Sequence, residues 1–292
     1  MNVFLFIALT FLSSGMNLVE SVMIKKYNEK HEKGGFFFTG IVSLFSMLFF
    51  VGKEILVNGD GFDFTIEMLP YGIFAGIFFC TASILTFIAL CCGPFALSRL
   101  ILSYGGIFSI CYGIFFLHDK VGVFTVIGIL LMLVSLYLTR VPKGDNERKV
   151  TVKWLITITL SAVGSGMFGV LVKMQQVKFL NAVDNEFMIV TLGFSALALF
   201  IAGIIKDGKD TLYILKNGTA YSAVAGLSNG LSNFLTLFTN QLLLISIASP
   251  VRSGVGIIFS FIVSLLFFKE KFLPRQVVGM IVGTASIVLI NL

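Results

Sequence analysis

The chain has 292 residues, 57% of them apolar and only 12% charged, with 21 Lys/Arg against 15 Asp/Glu and a net charge of +6. So few charges cannot cover a water-soluble surface. Ten membrane spans of about 20 residues each would leave no stretch for a soluble domain of about 100 residues. The positive charges fall in the turns between apolar runs, where the cytoplasmic bias of Lys and Arg puts them, so the basic balance does not imply nucleic acid.

Weakly charged apolar runs predict ten spans at about 2–24, 34–52, 68–90, 95–117, 121–139, 153–173, 185–205, 217–245, 250–268 and 274–291. The first opens apolar at Asn2-Val3-Phe4 with no basic leader and no A-x-A cleavage site, so a retained span is expected and not a signal peptide. Turns are expected at Lys25 to Lys33, Asn58-Gly59-Asp60-Gly61, Gly93-Pro94, His118-Asp119-Lys120, Pro142 to Arg148, Asp207-Gly208-Lys209, Ser249-Pro250 and Lys269-Glu270-Lys271. Each span reads as helix, since a barrel would show alternating ten-residue strands. The fold class expected is therefore an all-α membrane protein.

Sliding the chain against itself by 151 residues superposes Ser14-Gly15-Met16 on Ser165-Gly166-Met167, Gly105 on Gly256, and Ile107-Phe108-Ser109 on Ile258-Phe259-Ser260. The same shift superposes Phe116 on Phe267, Asp119 on Glu270, Lys120 on Lys271 and Gly128 on Gly279. One offset at both ends of a half predicts two five-helix repeats, residues 1–140 and 153–292, joined by a cytoplasmic linker at 141–152. Five spans per copy is odd, so the second copy enters the membrane inverted. With both termini outside, the cytoplasmic turns and Arg99 hold 16 Lys/Arg and the opposite side holds five, as the positive-inside bias requires.

Motor, zinc-protease and dithiol signatures are missing: the sequence contains no G-x-x-x-x-G-K-[ST], H-E-x-x-H or C-x-x-C. His31 and His118 lie in expected turns and read as solvated. Cys80, Cys91, Cys92 and Cys111 read as packing residues, so no enzyme activity, metal or cofactor is expected.

Polarity inside the spans is the informative signal. Asn229, Asn233, Thr236 and Asn240 fall on a stripe about 60° wide. Three carboxamides on one face cannot look at lipid, so the stripe either lines a cavity or hydrogen-bonds to a neighbouring helix. The offset positions Phe78, Ala82, Leu85 and Ala89 carry no such stripe, so any site is chemically lopsided. In the first span Thr10, Ser13, Ser14, Asn17, Glu20 and Ser21 share a face about 120° wide. Glu20, its only charge, is either a functional carboxylate and proton carrier or an interfacial group near Lys25. Arg99 and Arg252 follow Pro94 and Pro250; they either snorkel to the interface or face the bundle interior, where Arg99 would pair with Glu20 as an inner gate. Gly72-x-x-x-Gly76, Gly226-x-x-x-Gly230 and Gly279-x-x-x-Gly283 predict close helix approach.

The ends of the two repeats carry a family resemblance. Phe115-Phe116-Leu117-His118-Asp119-Lys120 before Val126-Ile127-Gly128, and Leu266-Phe267-Phe268-Lys269-Glu270-Lys271 before Val277-Val278-Gly279, resemble the acidic turn and Gly-bearing helix of EamA-type proteins in the drug/metabolite transporter superfamily. His118-Asp119 departs from the usual Gly-Glu. The resemblance implies a cavity between the halves, lined by spans one, three, four, six, eight and nine and worked by alternating access. The expectation is a secondary transporter in the plasma membrane for a small amino-acid-like or amphipathic solute. Asn17, Tyr104, Asn229, Asn233, Asn240 and Arg252 would bind the solute, with Glu20 and Arg99 as proton-coupling or gate residues. The rivals are a lipid or lipid-linked carrier flippase and a non-transporting membrane scaffold. Expected partners are the small-molecule substrate and membrane lipids, with a homodimer left open.

Overall fold

The computed structural model describes residues 3–31, 34–58, 62, 64–108, 112, 122–139, 151–180, 182–242, 245–269 and 273–290. No strand occurs among them. The helices are α1 (Val3–His31), α2 (Gly35–Lys53), α3 (Leu69–Cys92), α4 (Phe95–Ser103), α5 (Val123–Thr139), α6 (Val152–Lys178), α7 (Asp184–Lys206), α8 (Thr219–Leu242), α9 (Ile245–Phe267) and α10 (Pro274–Ile290); a short helix, Thr211–Asn217, precedes α8. Four stretches among the described residues are long and apolar enough to cross a membrane: Gly35–Leu56, Ile66–Cys92, Val152–Lys178 and Asp184–Lys206. The chain is thus an integral membrane protein. That is fewer strong spans than the ten expected. Helices α5 and α10 have 17 described residues each and end beside residues that are not described, and α8 is diluted by its Ser, Asn and Thr residues.

Two boundaries differ from expectation for visible reasons. Helix α1 runs on to His31, through the expected turn at Lys25. Its last turns are held by Tyr27, stacked on Phe38 with ring centroids 4.2 Å apart, and by Lys25, whose ammonium lies 4.5 Å from the Phe268 ring. The fourth span is interrupted. After Ser103 the chain turns at Tyr104-Gly105 before Gly106–Phe108 resumes helical form. There α6 crosses at backbone distance: a Cβ on Gly105 would lie 2.6 Å from the carbonyl oxygen of Ala162. The Arg99 carbonyl, at the end of the interrupted helix, accepts a hydrogen bond from the Ser103 hydroxyl.

Helix ends are fixed by polar partners. Thr151 caps α6 by accepting from the Trp154 backbone N–H, and Asp207, just past α7, accepts from the Phe37 N–H in the first turn of α2 at 2.7 Å. Asp184 and Glu186 open α7 and Lys206 closes it, which suits the helix dipole.

Side-chain pairs give the direction of each packed helix. On α1 and α8, Tyr27 meets Tyr221 while Ser13 meets Ser232. On α2 and α7, Ser43 meets Ser195 while Phe50 meets Asn185. On α3 and α6, Ala82 meets Ser161 while Tyr71 meets Phe179. On α5 and α10, Ser135 meets Gly279 while Tyr137 meets Arg275. All four pairs are antiparallel. Phe87 near the end of α3 and Tyr221 near the start of α8 both touch Tyr27. Met68, just before α3, and Leu237 late in α8 share another cluster. Helices α3 and α8 therefore run in opposite directions.

The small-residue motifs sit where helices approach most closely. A Cβ on Gly72 would lie 2.7 Å from Val190 on α7, and one on Gly226 would lie 2.5 Å from the Val42 carbonyl oxygen on α2. Gly226→Leu should therefore push α8 off α2 and cost about 1–3 kcal/mol. Gly15, with nothing within 4 Å of its absent Cβ, should accept Ala without loss. Thermal unfolding in detergent checks both: equal melting of Gly226→Leu and the wild type would contradict this packing.

Candidate functional site

A cavity of about 290 Å³ lies among α1, α2, α3, α4, α6, α8 and α9. Its polar wall is Ser13, Ser14, Asn17, Glu20 and Ser21 of α1, Asn229, Ser232 and Asn233 of α8, and Arg99 and Ser103 of α4. Phe79 and Ala82 of α3, Phe168 of α6, Leu102 of α4 and Val42 of α2 supply its apolar surface, interspersed with Thr39 of α2, Ser83 and Thr86 of α3 and Ser165 of α6. Phe79 and Phe168 pack edge to face, with centroids 5.2 Å apart.

Asn229 organises the polar wall. Its amide donates to Glu20 Oε2 at 3.0 Å, and its Oδ1 accepts from Ser46 Oγ of α2 at 2.8 Å and from Asn233 Nδ2 at 2.9 Å. One carboxamide thereby ties α1, α2 and α8 together around the carboxylate. Arg99 donates from Nη1 to Ser21 Oγ at 3.1 Å, and its buried Nε has no hydrogen-bond partner among the described residues. Glu20 and Arg99 lie within electrostatic reach of one another. Among the described residues, however, no Glu20–Arg99 ion pair closes: each charge is held by a neutral neighbour.

Of the residues expected at the site, Asn17, Glu20, Arg99, Asn229 and Asn233 line this cavity. Tyr104 does not. Because α4 breaks at Tyr104, its side chain turns toward α5 and α10, where the hydroxyl donates to Ser135 Oγ at 2.8 Å and Ser135 donates to the Gly279 carbonyl at 2.7 Å. The side chains of Asn240 and Arg252 lie outside the described residues. The residues of the eighth-span stripe have two kinds of surroundings. Asn229 and Asn233 face the cavity, while one turn on Thr236 bonds the Ser13 hydroxyl at 3.1 Å and joins α8 to α1.

The sequence reading missed Ser46, Thr39, Ser83, Thr86 and Ser103. Thr86 shares a hydrogen bond of 2.6 Å with Ser161, which donates to the Ala82 carbonyl at 2.8 Å. The buried Ser43 and Ser46 of α2, three residues apart on one helix face, were the available signal for α2.

Replacing Asn229 by Leu removes three hydrogen bonds and strands Glu20 and Ser46, at about 1–3 kcal/mol for each buried group left unpaired. Its melting temperature should fall further than that of Asn233→Leu, which loses one bond. The reverse order would contradict the hub. Single cysteines at 229 and 233, on a background without the native cysteines, should react with a water-soluble thiol reagent; protection at both would mean a dry interface.

No family model matches the chain. Over 96% of its length it is similar to a solved crystal structure, of which it covers 98%, with a TM-score of 0.61 and 13% identity; that likeness is one of fold. It is also 31% identical over 71 residues to the multidrug resistance protein EbrA of Bacillus licheniformis, a match spanning 24% of this chain and 68% of EbrA. With its apolar spans and this relative, the chain is an integral membrane protein that belongs to the family of the multidrug resistance protein EbrA.

Proposed function

We propose that the chain is a secondary transporter that carries a small organic solute, amino-acid-like or amphipathic, across the cell membrane by alternating access. Transport in general terms is supported by the likeness to EbrA and by the apolar helices. The narrower reading rests on one observation: a cavity inside the bundle holds a carboxylate and a guanidinium, Glu20 on α1 and Arg99 on α4, two first-half helices that each pack against helices of the second half. Charge within an apolar bundle is costly, and it marks a solute or ion path more often than it marks packing.

The mechanism proposed is the rocking of two inverted five-helix repeats, 1–140 and 153–292, about the cavity, with the linker 141–152 cytoplasmic and both termini outside. Several packing features support it. Adding five to each helix number turns one observed contact into another: α1–α8 becomes α6–α3, α2–α8 becomes α7–α3, and α1–α9 becomes α6–α4, while α2–α7 and α5–α10 map onto themselves. The opposed directions of α3 and α8 fit the same reading. In this scheme Glu20 exchanges a proton for the solute, and Arg99 beside it acts as the gate residue. The cavity volume lies near the lower end of the range of about 300–1,000 Å³ for small-molecule sites, which favours a small solute over a lipid.

Reconstituted in liposomes, the protein should show saturable counterflow of its solute, tested with a panel of amino acids, nucleosides and cationic drugs. Glu20→Gln should abolish proton-driven uptake, and Arg99→Gln should abolish or uncouple transport. Wild-type rates in both variants, or no saturable exchange of any panel member, would contradict this reading.

A further inference from the structure

We infer that the solute is a zwitterion on a small apolar frame, of the α-amino-acid class. Its ammonium group is received by Glu20 and Asn229, its acidic group by Arg99, and its apolar part by Phe79 and Phe168. This deepens the transport reading and rests on it.

The warrant is that the two charges of the cavity are present together and incompletely satisfied. Among the described residues Glu20 accepts one hydrogen bond, from Asn229, although an ionised carboxylate offers about four acceptor sites. Arg99 donates to Ser21 and keeps a buried Nε without a partner, although a guanidinium has five N–H donors in a fixed fork suited to an acid group. A buried charge without full compensation is unfavourable by several kcal/mol, so each group attracts a ligand of opposite sign. A purely cationic solute would satisfy Glu20 and lie beside Arg99 with like charge. A purely anionic one would reverse the conflict. A molecule bearing both charges satisfies both groups and adds no net charge to a low-dielectric site. Asn229 and Asn233 add neutral donors and acceptors beside Glu20, while the edge-to-face Phe79–Phe168 pair forms the apolar part of the opposite wall. Carboxylate and phosphate both suit Arg99, so the headgroup of a zwitterionic lipid shares this chemistry; the cavity volume argues for the free solute.

Four probes separate the possibilities by thermal shift on the purified protein: phenylalanine, phenethylamine without the carboxylate, 3-phenylpropanoate without the ammonium, and glycerophosphoethanolamine as a free lipid headgroup. Phenylalanine should stabilise the protein with an affinity at least about tenfold tighter than either single-charge analogue. Arg99→Gln should erase its advantage over phenethylamine, and Glu20→Gln its advantage over 3-phenylpropanoate; size-exclusion profiles matching the wild type show that both variants fold. Equal or tighter binding of phenethylamine by the wild type would overturn the inference, as would no response to any probe or a preference that survives Arg99→Gln. A response to glycerophosphoethanolamine alone would overturn the amino-acid assignment in favour of a phosphate headgroup. Counterflow of a cationic drug in liposomes keeps the two claims apart: if it persists while the zwitterion fails, transport stands and the substrate class falls.

Discussion

A carboxylate and a guanidinium held inside an apolar helix bundle are the constraint on which the rest of the structure turns. Glu20 and Arg99 cannot be left bare at low dielectric, so serines and asparagines collect around them. Asn229 is the central piece because it gives a hydrogen bond to Glu20 and takes one each from Ser46 and Asn233. The same bonds that compensate the carboxylate set the spacing of α1, α2 and α8. Chemistry and packing therefore cannot be changed independently here.

The two sides of the cavity differ in how their helices are joined. Helices α1 and α8 are laced by reciprocal hydrogen bonds: the Ser13 hydroxyl donates to the Ser232 carbonyl, and Ser232 donates back to the Ser13 carbonyl. Helices α3 and α6 are joined through Ser161, which donates to the Ala82 carbonyl and bonds Thr86, and also approach through a small residue, since a Cβ on Gly164 would lie 3.2 Å from the Ala82 side chain. In the register of the repeat, Asn229 and Asn233 stand where α3 has Phe78 and Ala82. On the proposed inverted arrangement, one framework thus carries carboxamides on one side and hydroxyls among apolar side chains on the other.

Much of this was legible in the sequence, and the limits have physical causes. A helical period of 3.6 residues places Asn229 and Asn233 on one face whatever their surroundings, and the face of α1 bearing Asn17 and Glu20 follows in the same way. Periodicity does not say what a face meets, so Thr236 could not be separated from its neighbours until Ser13 stood beside it. Tyr104 faces Ser135 and not the cavity, at a break in α4 where Gly105 lies against the backbone of α6, more than fifty residues away in the chain. The end of α1 was read short because Lys25 resembles a turn residue until Phe95 and Phe268 supply aromatic faces for its ammonium. Ser46 left only a weak trace, since a two-serine face with Ser43 in an apolar helix looks the same against lipid as against Asn229.

The central claim is that this polar cleft is wet and reaches each side of the membrane in turn. The most direct measurement is the labelling of a single cysteine at Ser83, on the cavity wall, from each side of oriented vesicles with a membrane-impermeant thiol reagent. The account predicts reaction from both sides, with transported solute slowing it. Reaction from neither side, at a rate unaffected by solute, would mean a sealed interior and contradict it.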